Sequence, residues 1–120
     1  MAVVRRNSLM EAVPALGSLA AAGSGGVAKL LPAGFNHPSL DLPPGSHRLG
    51  RDPAQCTLVI ESHHVSRCHC EIVVDGTGIT VRDLGSHNGT YLNGLRVTEA
   101  TLRPGDKLGL SRRINFVLAV

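Results

Sequence analysis

The chain has 120 residues and a mass of 12.6 kDa, enough for one compact domain or a slightly smaller domain with a tail. A hydrophobic share of 42% supplies one core and excludes disorder throughout, while aromatics at 2%, with no Trp, disfavour a base-stacking surface. Fourteen Gly and seven Pro favour short strands over a helical bundle, and 12 basic against 9 acidic residues give +3, a mild bias toward anionic partners.

In chain order, residues 1–25 read as a flexible leader of Ala, Leu, Gly and Ser that runs out in Gly23-Ser24-Gly25-Gly26. Ser8-Leu9-Met10-Glu11 fits a capping box, but Pro14 and Gly17 limit any helix that starts there. Arg5-Arg6-Asn7-Ser8 has the form that basophilic kinases favour, and a phosphate on Ser8 would recruit some other partner. The Arg-rich start followed by Ala20-Ala21-Ala22 is also compatible with a targeting segment, although Glu11 and Pro14 interrupt its apolar part.

Residues 26–120 read as the domain. Short apolar runs predict strands over 27–31, 46–50, 57–60, 68–74, 78–83, 90–92, 95–97, 107–110 and 114–120. Asp75-Gly76 and Asn93-Gly94 each sit between two such runs, which predicts two tight hairpins. Alternation places Cys68, Cys70, Ile72 and Val74 on one face and His69, Glu71 and Val73 on the other. Strands at this spacing predict an all-β antiparallel sandwich or barrel.

Three polar segments interrupt the strands: Gly50-Arg51, His63 to His69, and Asp83 to Thr90 followed by Asn93-Gly94. Alternate connections of a sandwich gather at one end, where these segments would offer a guanidinium, hydroxyls, an amide and backbone N–H groups. That donor set suits a phosphate, because Arg donates in a planar fork and Ser adds charge-assisted bonds. An Asn can donate to and accept from a peptide backbone at once.

Gly50-Arg51, Ser66-Arg67-Cys68-His69 with Ile72, Asp83 to Thr90, and Asn93-Gly94, in that order across about 47–110, resemble the forkhead-associated (FHA) domain family. The resemblance implies a β-sandwich of about eleven strands that binds phosphothreonine peptides without catalysis. It implies that Arg51 and Ser66 contact the phosphate and that Arg67 adds a phosphate or peptide contact. Asn88 would hold the peptide main chain, and His69 would brace the binding loops. Gly50, Gly89, Asn93 and Gly94 would shape supporting turns. His87 departs from the Thr, Ser or Lys common there; at the phosphate it would make binding sensitive to pH near neutrality. His63, His64 and Arg67 imply an acidic preference three positions past the phosphothreonine. The resemblance also implies a signalling or nuclear role, with a phosphothreonine-containing protein as partner.

Other chemistries have little to build on. The thiols of Cys68 and Cys70 are expected to be buried and inert on the core face, with no metal site, and the odd count of three cysteines favours an intracellular setting, which the family resemblance narrows to nuclear or cytoplasmic. Ser66, His69 and Asp83 lack a nucleophile elbow, and there is no Walker A or dinucleotide loop, so no enzyme activity and no cofactor are expected. No window spans a membrane. Direct DNA or RNA binding is the alternative from another class, supported by Arg112-Arg113 and a pI of about 9.1. It is weakened by the ten basic and eight acidic groups of 26–120, a balance of only +2. Oligomeric state is left open.

Overall fold

The computed structural model describes residues 2–4 and 27–120 of the chain. The capping box, the kinase pattern and the targeting reading of the leader lie outside these residues. Among the described residues there are eleven strands and no helix: β1 (Ala2–Val4), β2 (Ala28–Ala33), β3 (Leu40–Leu42), β4 (Gly45–Gly50), β5 (Leu58–Val59), β6 (Cys70–Asp75), β7 (Gly78–Asp83), β8 (Thr90–Leu92), β9 (Leu95–Leu102), β10 (Lys107–Leu110) and β11 (Asn115–Ala119). Accordingly, none of these residues form a helix long and apolar enough to cross a membrane.

The strands hydrogen-bond in the order β3-β2-β11-β10-β8-β9-β7-β6-β4-β5, and β1 runs parallel to β9. Strand β9 joins the two halves of the sandwich: Leu95, Arg96 and Val97 pair with β8, while Glu99 to Leu102 pair with β7. Leu30, Leu49, Ile72, Val81, Leu108, Leu110, Phe116 and Leu118 from both halves are buried in one core. Each such side chain contributes about 1.5–3 kcal/mol by leaving water.

Several sequence expectations are corrected in detail. β3, flanked by Pro38 and Pro43, was not predicted; it forms because Lys29 and Leu30 of β2 pair with Asp41 and Leu40. β9 has eight residues rather than three, since pairing with β7 extends it through Thr98-Glu99-Ala100. The first hairpin turns at Gly76-Thr77, one residue later than predicted: Asp75 closes the ladder against Gly78, and its carboxylate accepts the Thr77 N–H (2.8 Å). β6 begins at Cys70, so Cys68 is not on the core face; its thiol is half-buried in the preceding loop and donates to the Gln55 side chain at 3.3 Å. The Asn93-Gly94 hairpin has φ of 50° and 88°, the doubly left-handed turn that this pair suits.

Register decides which loops meet. Leu49 lies opposite Cys70, and Cys70 opposite Asp83, so the segments that follow β4, precede β6 and follow β7 leave the sandwich at one end. Thr90 lies opposite Leu110, which brings the segment after β10 to the same end.

Candidate functional site

His69 ties the loops together. It is fully buried, and its ring joins two segments far apart in sequence. The Ser66 N–H donates to Nδ1 (3.1 Å), which fixes the tautomer, so Nε2–H donates to the Gly89 carbonyl at 2.7 Å. Burial pulls its pKa below the usual histidine value, in keeping with a neutral ring. Its backbone adds two more ties, N–H to the Leu49 carbonyl and carbonyl from the Leu84 N–H.

Asp83 organises the third loop. Its carboxylate accepts the N–H groups of Gly85 and Ser86 and the hydroxyls of Ser86 and Thr90. The Ser86 hydroxyl in turn accepts the Gly89 N–H at 3.1 Å. The sequence places Asp83, Ser86 and Thr90 within the third polar segment but assigns none of them a role of its own. The signal was there: an acid at a strand end, with hydroxyls three and seven residues on, is a local capping pattern.

On this frame sit Arg51 and Arg67. Both are exposed and line one open cleft of about 270 Å³ with Asp52 and Pro53. Neither guanidinium has a hydrogen-bond or ion-pair partner among the described residues. The backbone beneath them is fixed: Arg51 N–H donates to the Ser66 carbonyl at 3.0 Å and Asp52 N–H to the Arg67 carbonyl at 3.3 Å. The Asp52 carboxylate accepts Ala54 N–H and the Gln55 amide, and these bonds hold it below the usual carboxylate range.

Gly50 is a contact point between the first two loops. A Cβ there would lie 2.0 Å from the Arg67 carbonyl oxygen and 2.7 Å from the Cys56 sulfur. Backbone cannot yield by that amount locally, so Gly50→Ala is expected to cost about 2 kcal/mol or more in urea unfolding and to weaken ligand binding with it. A variant as stable as wild type would refute the close approach.

Ser66 Oγ accepts the His87 N–H (3.0 Å), which leaves the hydroxyl proton to donate outward. Asn88 is exposed and donates through Nδ2 to the His64 carbonyl at 2.8 Å; its Oδ1 and second amide hydrogen have no partner among the described residues. The structure thus brings Arg51, Ser66, Arg67, Asn88 and the His87 backbone to one end. The His87 side chain lines a neighbouring cavity with Asn88, away from the Arg51–Arg67 cleft. Asn93 and Gly94 lie apart from these loops, at the β8–β9 turn, where Asn93 is bonded to Asp106 and Lys107. Cys56 and Cys70 are buried, which pushes both thiols up and keeps them protonated.

A model of the FHA domain matches residues 47–111, more than half of the chain. The chain belongs to the FHA domain family. It is 39% identical over 79 residues to the ABC transporter ATP-binding/permease protein Rv1747 of Mycobacterium tuberculosis, a match covering 66% of this chain and only 9% of that protein's length. A domain solved in work on phosphothreonine-dependent FHA interactions superposes with a TM-score of 0.72 at 29% identity, over 78% of this chain and 96% of the other. M. tuberculosis EmbR, solved with a low-affinity phosphopeptide, also superposes at 0.72 with 28% identity, covering 90% of this chain and 30% of the other.

Proposed function

We infer that this FHA domain is a non-catalytic module that binds phosphothreonine-containing peptides and proteins, in signalling assemblies. The observation that carries the reading is the pair of unpartnered guanidiniums, Arg51 and Arg67, in one cleft, with Ser66 next to Arg67 in the chain and its hydroxyl proton left free while Oγ accepts the His87 N–H. Arg51 forks onto the phosphate, Ser66 donates a short bond to it, and Arg67 adds the second charge. Asn88 then holds the peptide backbone through its free donor and acceptor. His69, Gly50 and Gly89 keep the loops in place, and residues 26–120 form the binding unit. EmbR and the phosphothreonine-dependent FHA domain noted above lend support from relatives.

The test is an oriented phosphothreonine peptide library. The domain should enrich phosphothreonine peptides, and retain none when threonine is unphosphorylated or when Arg51 is alanine. Enrichment that ignores the phosphate would sink the reading. Asn88→Ala removes two neutral hydrogen bonds to the peptide, each worth about 0.5–1.5 kcal/mol, so fluorescence anisotropy should report about a tenfold loss of affinity with the fold intact. Equal affinity would remove Asn88 from the site.

A further inference from the structure

The second cavity at this end of the sandwich holds more positive charge than the first. It measures about 310 Å³, room for a phosphate group and several waters at about 30 Å³ each. Its lining includes Arg96, Arg112, Arg113, His64, His87 and Tyr91, with no carboxylate among them. Arg112 lies over the Tyr91 ring, 5.7 Å from its centroid, and its Nε is 3.4 Å from the Tyr91 hydroxyl, so its guanidinium is oriented. The guanidiniums of Arg96 and Arg113 have no hydrogen-bond or ion-pair partner among the described residues.

Arg112 and Arg113 reach this place by a built feature. The Leu110–Thr90 pairing carries the segment after β10 alongside the third loop, and Ser111 N–H donates to the Gly89 carbonyl at 3.0 Å. Ser111 is a buried non-glycine residue at φ 101°, and its hydroxyl accepts the Arg113 N–H at 3.1 Å. That strained conformation is maintained at a loop whose two exposed side chains are both arginines. Asn88 and His64 line this cavity and are joined by the bond from Asn88 Nδ2 to the His64 carbonyl, while the His87 N–H donates to Ser66 Oγ, next in the chain to Arg67 of the first cleft.

We propose that this cavity is a second anion subsite, which takes a second phosphate or a carboxylate carried by the same phosphothreonine peptide on the far side of Asn88. The inference rests on the phosphothreonine reading above. A ligand with both groups is held at Arg51 and at Arg112–Arg113 together, so the second group binds at high effective concentration without its own docking cost. The subsite takes anions in general, since guanidinium forks match phosphate and carboxylate alike.

The experiment starts from a phosphothreonine peptide obtained in the library screen. Phosphoserine, or glutamate in a parallel arm, is moved through about six positions on each side, a reach of roughly 20 Å in extended chain. Anisotropy titrations use wild type, Arg112→Ala/Arg113→Ala and Arg51→Ala. The expected result is a gain of about tenfold or more at one or two adjacent positions. The double variant should lose that gain yet bind the singly phosphorylated peptide as wild type does, with an unchanged melting temperature. A gain in the phosphoserine arm alone assigns the subsite to phosphate; equal gains assign it to acidic side chains as well. No gain at any position, or a gain that survives in the double variant, overturns the subsite while leaving Arg51 in place. Binding that Arg51→Ala does not weaken overturns both.

Discussion

Arg51→Ala is expected to weaken phosphothreonine-peptide binding by about 10- to 150-fold, because each charge-assisted bond to phosphate is worth about 1.5–3 kcal/mol. The fold should be unaffected. The Arg51 side chain is exposed, and the chain at this point is held by backbone bonds: Arg51 N–H to Ser66, and Ile60 N–H to the Gly50 carbonyl at 2.9 Å. Loss of affinity without loss of stability separates a binding role from a packing one. Arg51→Lys keeps the charge and loses the fork, so it should recover only part of the affinity. Asp52 lines the same cleft and stays ionised, so a phosphate bound there would meet two positive charges and one negative. Removing one guanidinium leaves that cleft formally neutral, which is why the effect should approach the upper part of the range at low salt and shrink as salt rises. Isothermal titration of both variants at two ionic strengths checks it; an unchanged dissociation constant for Arg51→Ala would remove the residue from the site.

What could be read in the sequence was what local chemistry determines. Asn93-Gly94 forces its own turn, and the alternation of Cys70, Ile72 and Val74 puts all three in the core. Gly50-Arg51, Ser66 and Asn88 are marked by the order of the FHA-like motifs, whose residue types suit a phosphate and a peptide; each fragment alone is a weak signal. The rest depended on partners distant in sequence. Thr98-Glu99-Ala100 carries no strand pattern, and β7 draws it into the sheet. Cys68 alternates correctly with Cys70, yet the chain there obeys the loop that crosses Gly50, where Cys56 donates to the Arg67 carbonyl at 2.9 Å. Arg112-Arg113 looked like a basic pair at the far end of the chain. Only the register of β10 on β8 shows that it returns to Asn88.

His69→Ala should be the most damaging single change to the frame. The ring is fully buried and satisfies the Ser66 N–H and the Gly89 carbonyl at once. Its removal leaves the Ser66 N–H unpaired, at about 1–3 kcal/mol, strips the Gly89 carbonyl of one of its two donors (the Ser111 N–H stays) and opens a cavity, so the loss should be about 3 kcal/mol or more. For a domain of this size that lowers the melting temperature by roughly 10–20 °C. Acid should act on the same contact. A proton on Nδ1 would evict the Ser66 N–H, and burial already holds the folded pKa below the ordinary 6.5. As pH falls below 6.5 the unfolded chain takes up this proton and the folded chain does not, so stability declines until the lowered folded pKa is reached, and then this contribution is flat. The slope within that window is at most about 1.4 kcal/mol per pH unit. His69→Ala lacks the group and should lack this component, so the stability gap between wild type and variant should narrow on acidification from about pH 7 to 5. Because Ser66 and Gly89 lose their common anchor, phosphopeptide affinity should fall together with stability, the reverse of the Arg51 pattern. Urea denaturation of both proteins across that range measures the gap; one that stays constant would mean that His69 is not held neutral by its two partners.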